Sequence, residues 1–96
     1  MPSFKLIDGE KRNKKYPDTF KIPSEITKAA VEVGDYVKLG LELADKTGER
    51  MWFKVVHRTL DTFTGVLDNH PVVIEDIECG DELLFETKHI LATWEN

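Results

Sequence analysis

The sequence predicts an α+β domain built on a small, strongly bent antiparallel sheet or SH3-like barrel, with one short N-terminal helix. Three observations predict it. Residues 34–94 hold five or six short apolar stretches at close spacing, each ended by turn residues, as a small β-barrel requires. The steps Gly34-Asp35 and Gly80-Asp81 each open a strand, which marks two turns of shared geometry where glycine tolerates positive φ. The clear helical signal is local, at Ser24 and the residues after it. Ninety-six residues make a single domain. It divides into an extended basic arm (1–23), a short helix (24–33) and a β-rich body (34–94).

Within the arm, Phe4 to Ile7 reads as an edge strand and Asp8-Gly9 as a turn. Pro17 and Pro23 punctuate an extended segment from which Phe20 and Ile22 pack inward. Ser24 is placed as a helix N-cap, and Glu25 suits the positive end of the helix dipole. Ile26, Ala29 and Ala30 fall at i, i+3 and i+4, which predicts a narrow apolar face. Gly34 then ends the helix.

From Tyr36 the period becomes two. Val37, Leu39, Leu41 and Leu43 face one way, while Tyr36, Lys38, Gly40 and Glu42 face the other. Asp45-Lys46-Thr47-Gly48 is a hairpin loop with the glycine placed to close it. The strand from Glu49 to Thr59 turns Met51, Phe53 and Val55 inward and leaves Arg50, Trp52, Lys54, Val56 and Arg58 on its other face. After a turn at Leu60-Asp61-Thr62, Phe63, Gly65 and Leu67 point inward. Gly65 in mid-strand predicts a bulge or sharp bend. Asp68-Asn69-His70-Pro71 is a turn, because proline drives the residue before it to an extended backbone. Val72 to Ile74 reads as a short strand, Asp81 to Thr87 as another with Leu83 and Phe85 inward, and His89 to Trp94 as a closing strand or turn.

Charge excludes some functions. The chain carries a formal net charge of −5. That field opposes phosphate backbones and argues against nucleic acid as a partner. The charge is uneven, with +3 over residues 1–21 and −8 over the rest. The arm therefore reads as a solvated basic segment folded back on an acidic body. Cys79 is the one cysteine, so no internal disulfide can form, and a reducing cytoplasmic setting is expected. No stretch resembles a signal peptide or reaches the roughly 20 apolar residues that cross a bilayer, so no membrane partner is expected.

The residues suited to recognition cluster in one stretch: Arg50, Trp52, Lys54, Asp68, Asn69 and His70. Trp52 leads, because aromatic and arginine side chains bury much area at small entropic cost. Its competing role is a second small core beneath the helix or arm. His57, His70 and His89 lie too far apart in sequence to announce a metal site, and no C-x-x-C or H-E-x-x-H spacing occurs, so no metal or cofactor is expected. The run Glu75, Asp76, Glu78, Asp81 and Glu82 lacks calcium-loop spacing and reads as a solvated loop. No catalytic residue is assigned.

Three ordered motifs carry a resemblance. Gly48 to Val55 reads G-E-R-M-W-F-K-V, Gly65 to Pro71 reads G-V-L-D-N-H-P, and Gly80 to Phe85 reads G-D-E-L-L-F. Together they resemble a family of small bacterial domains of unknown function with the pattern E-x-M-W-V, then G-x-L-x-N-x-P, then G-D-x-V-x-F, followed by an Ile and a Trp. Ile90 and Trp94 fit the last pair. Phe53 stands where Val is common, and Thr93 where Asp usually precedes the Trp. The resemblance covers Val33 to Trp94. It implies a compact β-rich fold and brings no reaction with it; its shared positions fall on Trp52, Gly65, Asn69, Pro71, Gly80 and Asp81.

The function expected is therefore a non-enzymatic protein-binding module with an acidic body, to which a basic protein partner would be complementary. Two other readings make structural demands. A hydrolase-like enzyme would gather His57, His70, Asp68 and Glu49 in one cleft. An SH3-like nucleic-acid-binding module would align Arg50, Lys54 and Arg58 with the basic arm.

Overall fold

The period-two run that begins at Tyr36 sets the architecture. In the computed structural model, which describes residues 3–94, it forms the central strand. The order is β1 (Phe4–Leu6), α1 (Gly9–Lys15), α2 (Glu25–Ala29), β2 (Tyr36–Leu43), β3 (Gly48–Arg58), β4 (Thr62–Leu67) and β5 (Glu82–Glu86). A 3-10 turn (Thr87–His89) and β6 (Ala92–Trp94) follow. All pairings are antiparallel in the order β1-β2-β3-β4-β5, and β6 returns to β2. β1 takes the edge of β2 at Leu41–Leu43 and β6 takes it at Tyr36–Lys38. One edge of β2 thus serves two strands, and the sheet curls into a nearly closed SH3-like barrel.

Alternation decides what fills it. Val37, Leu39 and Leu41 from β2, Met51, Phe53 and Val55 from β3, and Phe63 and Leu67 from β4 are all buried. Phe85 and Ile90 join them, with Phe4, Val31, Ile74 and Ile77 at the margins of the same core. Each such large apolar side chain contributes about 1.5–3 kcal/mol on leaving water. Phe63 and Phe85 stack at 5.1 Å with their planes 11° apart. Gly65 makes room for this, since a Cβ there would lie 3.0 Å from both Phe53 and Phe85. The bend expected at Gly65 is made by its partner strand. Val55 pairs Gly65 and His57 pairs Thr64, so Val56 is an extra residue bulging β3.

The two Gly-Asp steps close the same way. Asp35 N–H donates to Glu32 C=O at 3.0 Å and Asp81 N–H to Glu78 C=O at 2.9 Å. Each Asp carboxylate accepts in return from the N–H of that Glu. Gly34 and Gly80 sit between them at φ 101° and 95°, a conformation that costs side-chain-bearing residues steric energy.

Five features differ from the sequence expectation. The arm is not extended throughout: Asp8 is an N-cap accepting from Lys11 N–H, and α1 follows it. Asp serves turns and N-caps through the same side-chain acceptor, which is why the dipeptide misleads. The helix at Ser24 starts as expected, with Ser24 accepting from Thr27 N–H, but ends at Ala29 rather than near Val33. Its apolar residues face outward, Ile26 being 83 % exposed. Lys28 faces inward instead, with no exposed surface, and pairs with Glu10 at 2.6 Å and Glu25 at 3.1 Å. Burial works against its charge, but the two carboxylates outweigh it and raise its pKa. In the hairpin loop the positive φ falls on Lys46, not on the glycine. Residues 72–74 form no strand; their N–H groups turn to a side chain instead.

Candidate functional site

That side chain is Glu49. Its carboxylate accepts from the backbone N–H groups of Val72 at 2.9 Å, Val73 at 2.5 Å and Ile74 at 2.7 Å. Desolvation disfavours its charge, but the three donors prevail and hold the carboxyl below the ordinary range. A carboxylate so engaged is anchored to the backbone, with most of these bonds on one oxygen. It fastens the segment after β4 to the start of β3.

The same segment is fastened at its other end to Trp52. Asp68 N–H donates to Trp52 C=O at 2.9 Å, and Trp52 N–H donates to Asn69 Oδ1 at 2.5 Å. The side-chain amide of Asn69 thus replaces the backbone carbonyl that β4 would have offered had it continued. This is why Asn matters at position 69, where simple packing offers no reason for it. The junction fixes Trp52 on the outer face of the sheet, and carries Asp68 and Asn69 alongside it.

Two further aromatic side chains arrive by strand register. Tyr36 on β2 is opposite Trp94 on β6, their rings 6.4 Å apart. Trp52 and Trp94 meet edge to face at 6.1 Å and 71°, a favoured arrangement for aromatic quadrupoles. Tyr36, Trp52, Asp68, Asn69 and Trp94 line a recess of about 400 Å³. Trp52 and Tyr36 are partly covered, whereas Trp94 is 65 % exposed. The Asp68 carboxylate makes no hydrogen bond or ion pair among the described residues. On Trp52 lies an ammonium group of the chain itself, Lys38 Nζ, 5.0 Å from the ring centroid. Lys38 is the register partner of Trp52 on β2.

The structure therefore brings together Trp52, Asp68 and Asn69 of the residues singled out from sequence, and adds Tyr36 and Trp94. Trp94 was legible as a closing-strand residue but not as a neighbour of Trp52, because β6 reaches β2 only through the fold. The other candidates do not line this recess. Arg50 stacks its guanidinium on Phe20 at 5.1 Å, helped by Arg12 at 5.7 Å on the same ring, which holds the N-terminal segment against the sheet. Lys54 is exposed and faces Val66 and Tyr36 in register. His70 borders a different recess with Pro71, Val72 and Cys79.

The residues of the two competing arrangements are not joined by hydrogen bonds among the described residues. His57 and His70 make no hydrogen bond to a carboxylate among the described residues, and the Glu49 carboxylate is bound to the backbone of residues 72–74. Arg58 is likewise occupied: it donates to Ala29 C=O and Val31 C=O and stacks on Phe63 at 4.6 Å. The basic residues Lys11, Arg12, Lys15 and Lys46 border an open groove with Asp8 and Glu42, where Arg12 is paired with Glu42 at 3.3 Å. No group of three or more His, Cys, Asp or Glu side chains converges on a metal position among the described residues. No helix among them is long and apolar enough to cross a membrane.

Comparison with protein-family models, curated proteins and solved structures finds no match.

Proposed function

We propose that this protein is a non-enzymatic protein-binding module that presents its outer sheet face, centred on Trp52, to a basic partner. The supporting observation is the trio Tyr36, Trp52 and Trp94, gathered on an outer face beside the unengaged Asp68 carboxylate. Clustered tryptophan and tyrosine are the side chains that dominate binding hot spots, and a half-open recess lets a partner complete their burial. The net charge of −5 favours encounter with a basic surface and accelerates it.

Capture of partners from lysate by the immobilised protein tests it. Trp94→Ala is the informative variant, because a side chain 65 % exposed stands outside the buried core. Loss of the captured proteins with an unchanged melting temperature is the expected result. Equal capture by the variant and the parent would sink the reading.

A further inference from the structure

We infer that the recess takes a methylated ammonium group, specifically the head of a trimethyl-lysine side chain on the partner polypeptide; this rests on the protein-binding reading above and names the chemistry of its contact. Three aromatic rings and one carboxylate line the recess, with Asn69 as the remaining wall. The faces of indole and phenol rings attract cations through their quadrupoles, and quaternary ammonium groups are the cations such clusters hold best. Asp68 supplies the formal charge that balances the ligand.

The lining also selects among cations. An unmodified lysine ammonium carries three donors and is strongly hydrated, so it needs several acceptors to leave water. The recess offers it few: Asn69 Oδ1 already accepts from Trp52 N–H, which leaves the Asp68 carboxylate and the Tyr36 hydroxyl. A guanidinium, with five donors, is served still less well. A trimethylammonium group donates no hydrogen bond, and its methyl groups gain from contact with apolar rings. The volume of about 400 Å³ falls in the usual range of about 300–1,000 Å³ for small-ligand sites.

The chain shows this attraction internally. Lys38 Nζ rests at cation–π distance from Trp52, so in the free protein one cation already occupies part of that ring's field. An incoming ammonium competes with it. Removing the Lys38 charge should therefore strengthen ligand binding, an outcome that a purely structural role for Lys38 would not produce.

The test is a titration of isotope-labelled full-length protein, read at the two indole N–H signals. Tetramethylammonium chloride is compared with ammonium chloride at equal ionic strength. A lysine-rich peptide carrying one trimethyl-lysine is then compared with its unmethylated twin, and with free choline. The expected results are indole shifts with tetramethylammonium but not ammonium, and methylated peptide binding at least about tenfold tighter than its twin. Lys38→Gln should tighten binding by about two- to fivefold and Trp94→Ala should abolish it, while Trp94→Phe retains part of it. No indole shift with tetramethylammonium would overturn the proposal, as would equal affinity for the two peptides. Choline binding as tightly as the methylated peptide would overturn its polypeptide source. Trp94-dependent capture from lysate without any tetramethylammonium response would leave the protein-binding reading standing and remove only this chemistry.

Discussion

The segment that follows β4 is stitched to β3 at two points, and each point carries a carboxylate used in the opposite way. At Glu49 the carboxylate is spent: three backbone N–H groups converge on it, and they are what make residues 72–74 a loop. At Trp52 the stitch is made by the backbone of Asp68 and the amide of Asn69, which leaves the Asp68 carboxylate free beside three aromatic rings. The two points lie three positions apart along β3. The comparison teaches that acidity in a turn says little about function until the acceptor count is known. An acidic side chain saturated by the backbone is scaffold, and one left over beside an apolar recess is available to a ligand.

The comparison is broken most severely at Glu49. Glu49→Ala removes a charged acceptor from three donors at once, and hydrogen bonds to charged groups are each worth about 1.5–3 kcal/mol. Because water can reach Val72 and Val73, a net loss of about 2–3 kcal/mol is expected. Urea denaturation measures it, and hydrogen exchange should show the amides of residues 72–74 losing protection. Glu49→Gln should fall between the two, since a neutral amide oxygen accepts less strongly.

Asn69→Ala comes next, at about 1 kcal/mol, because it strands one backbone donor at Trp52 where partial exposure lets water take its place. Its second readout sharpens the contrast. The Trp52 indole signal should shift in Asn69→Ala and stay in place in Glu49→Ala.

Much of this fold was legible in the sequence, and what was not has a physical reason. Alternation revealed β2, β3 and β4 because one face of each strand is buried, and burial is what hydrophobic period reports. The two Gly-Asp steps revealed two equal turns, since each turn is satisfied within four residues. α1 stayed hidden because its apolar contacts are few and Asp8 doubles as a turn residue. The inward Lys28 was hidden because its partner Glu10 lies on another helix. For the candidate site, Trp52, Asp68 and Asn69 were visible as one stretch of strand and turn, while Tyr36 and Trp94 joined them only through pairings distant in sequence.

Acid should expose the spent carboxylate by a smaller, graded effect. His89 Nδ1 accepts from Glu86 N–H at 2.9 Å, so the fold uses the neutral ring. Burial lowers the His89 pKa, with Lys88 adding to it. The folded state therefore binds fewer protons than the unfolded one near the ordinary histidine value of about 6.5. This contribution is complete above that value and declines as pH falls below it. Glu49, also lowered, keeps its contribution above the ordinary carboxyl value of about 4.3 and loses it below. Thermal midpoints should hold steady from pH 8 to 7, decline gently below about 6.5, and fall more steeply below about 4.5. His89→Gln should remove the first decline and keep the second.

The smallest expected effect on stability is the most telling. Asp68→Asn keeps the backbone N–H that donates to Trp52 and deletes a charge with no partner among the described residues, so stability should change by no more than about 0.5 kcal/mol. A larger loss in urea would mean that the carboxylate belongs to the scaffold, and the contrast with Glu49 would collapse. If stability holds, the same variant should bind tetramethylammonium severalfold more weakly, since the rings remain while the balancing charge is gone. Glu49→Gln is the matched control. It removes a nearby carboxylate of the same formal charge, so a general field effect would weaken binding in both variants, whereas a local contact weakens it only in Asp68→Asn.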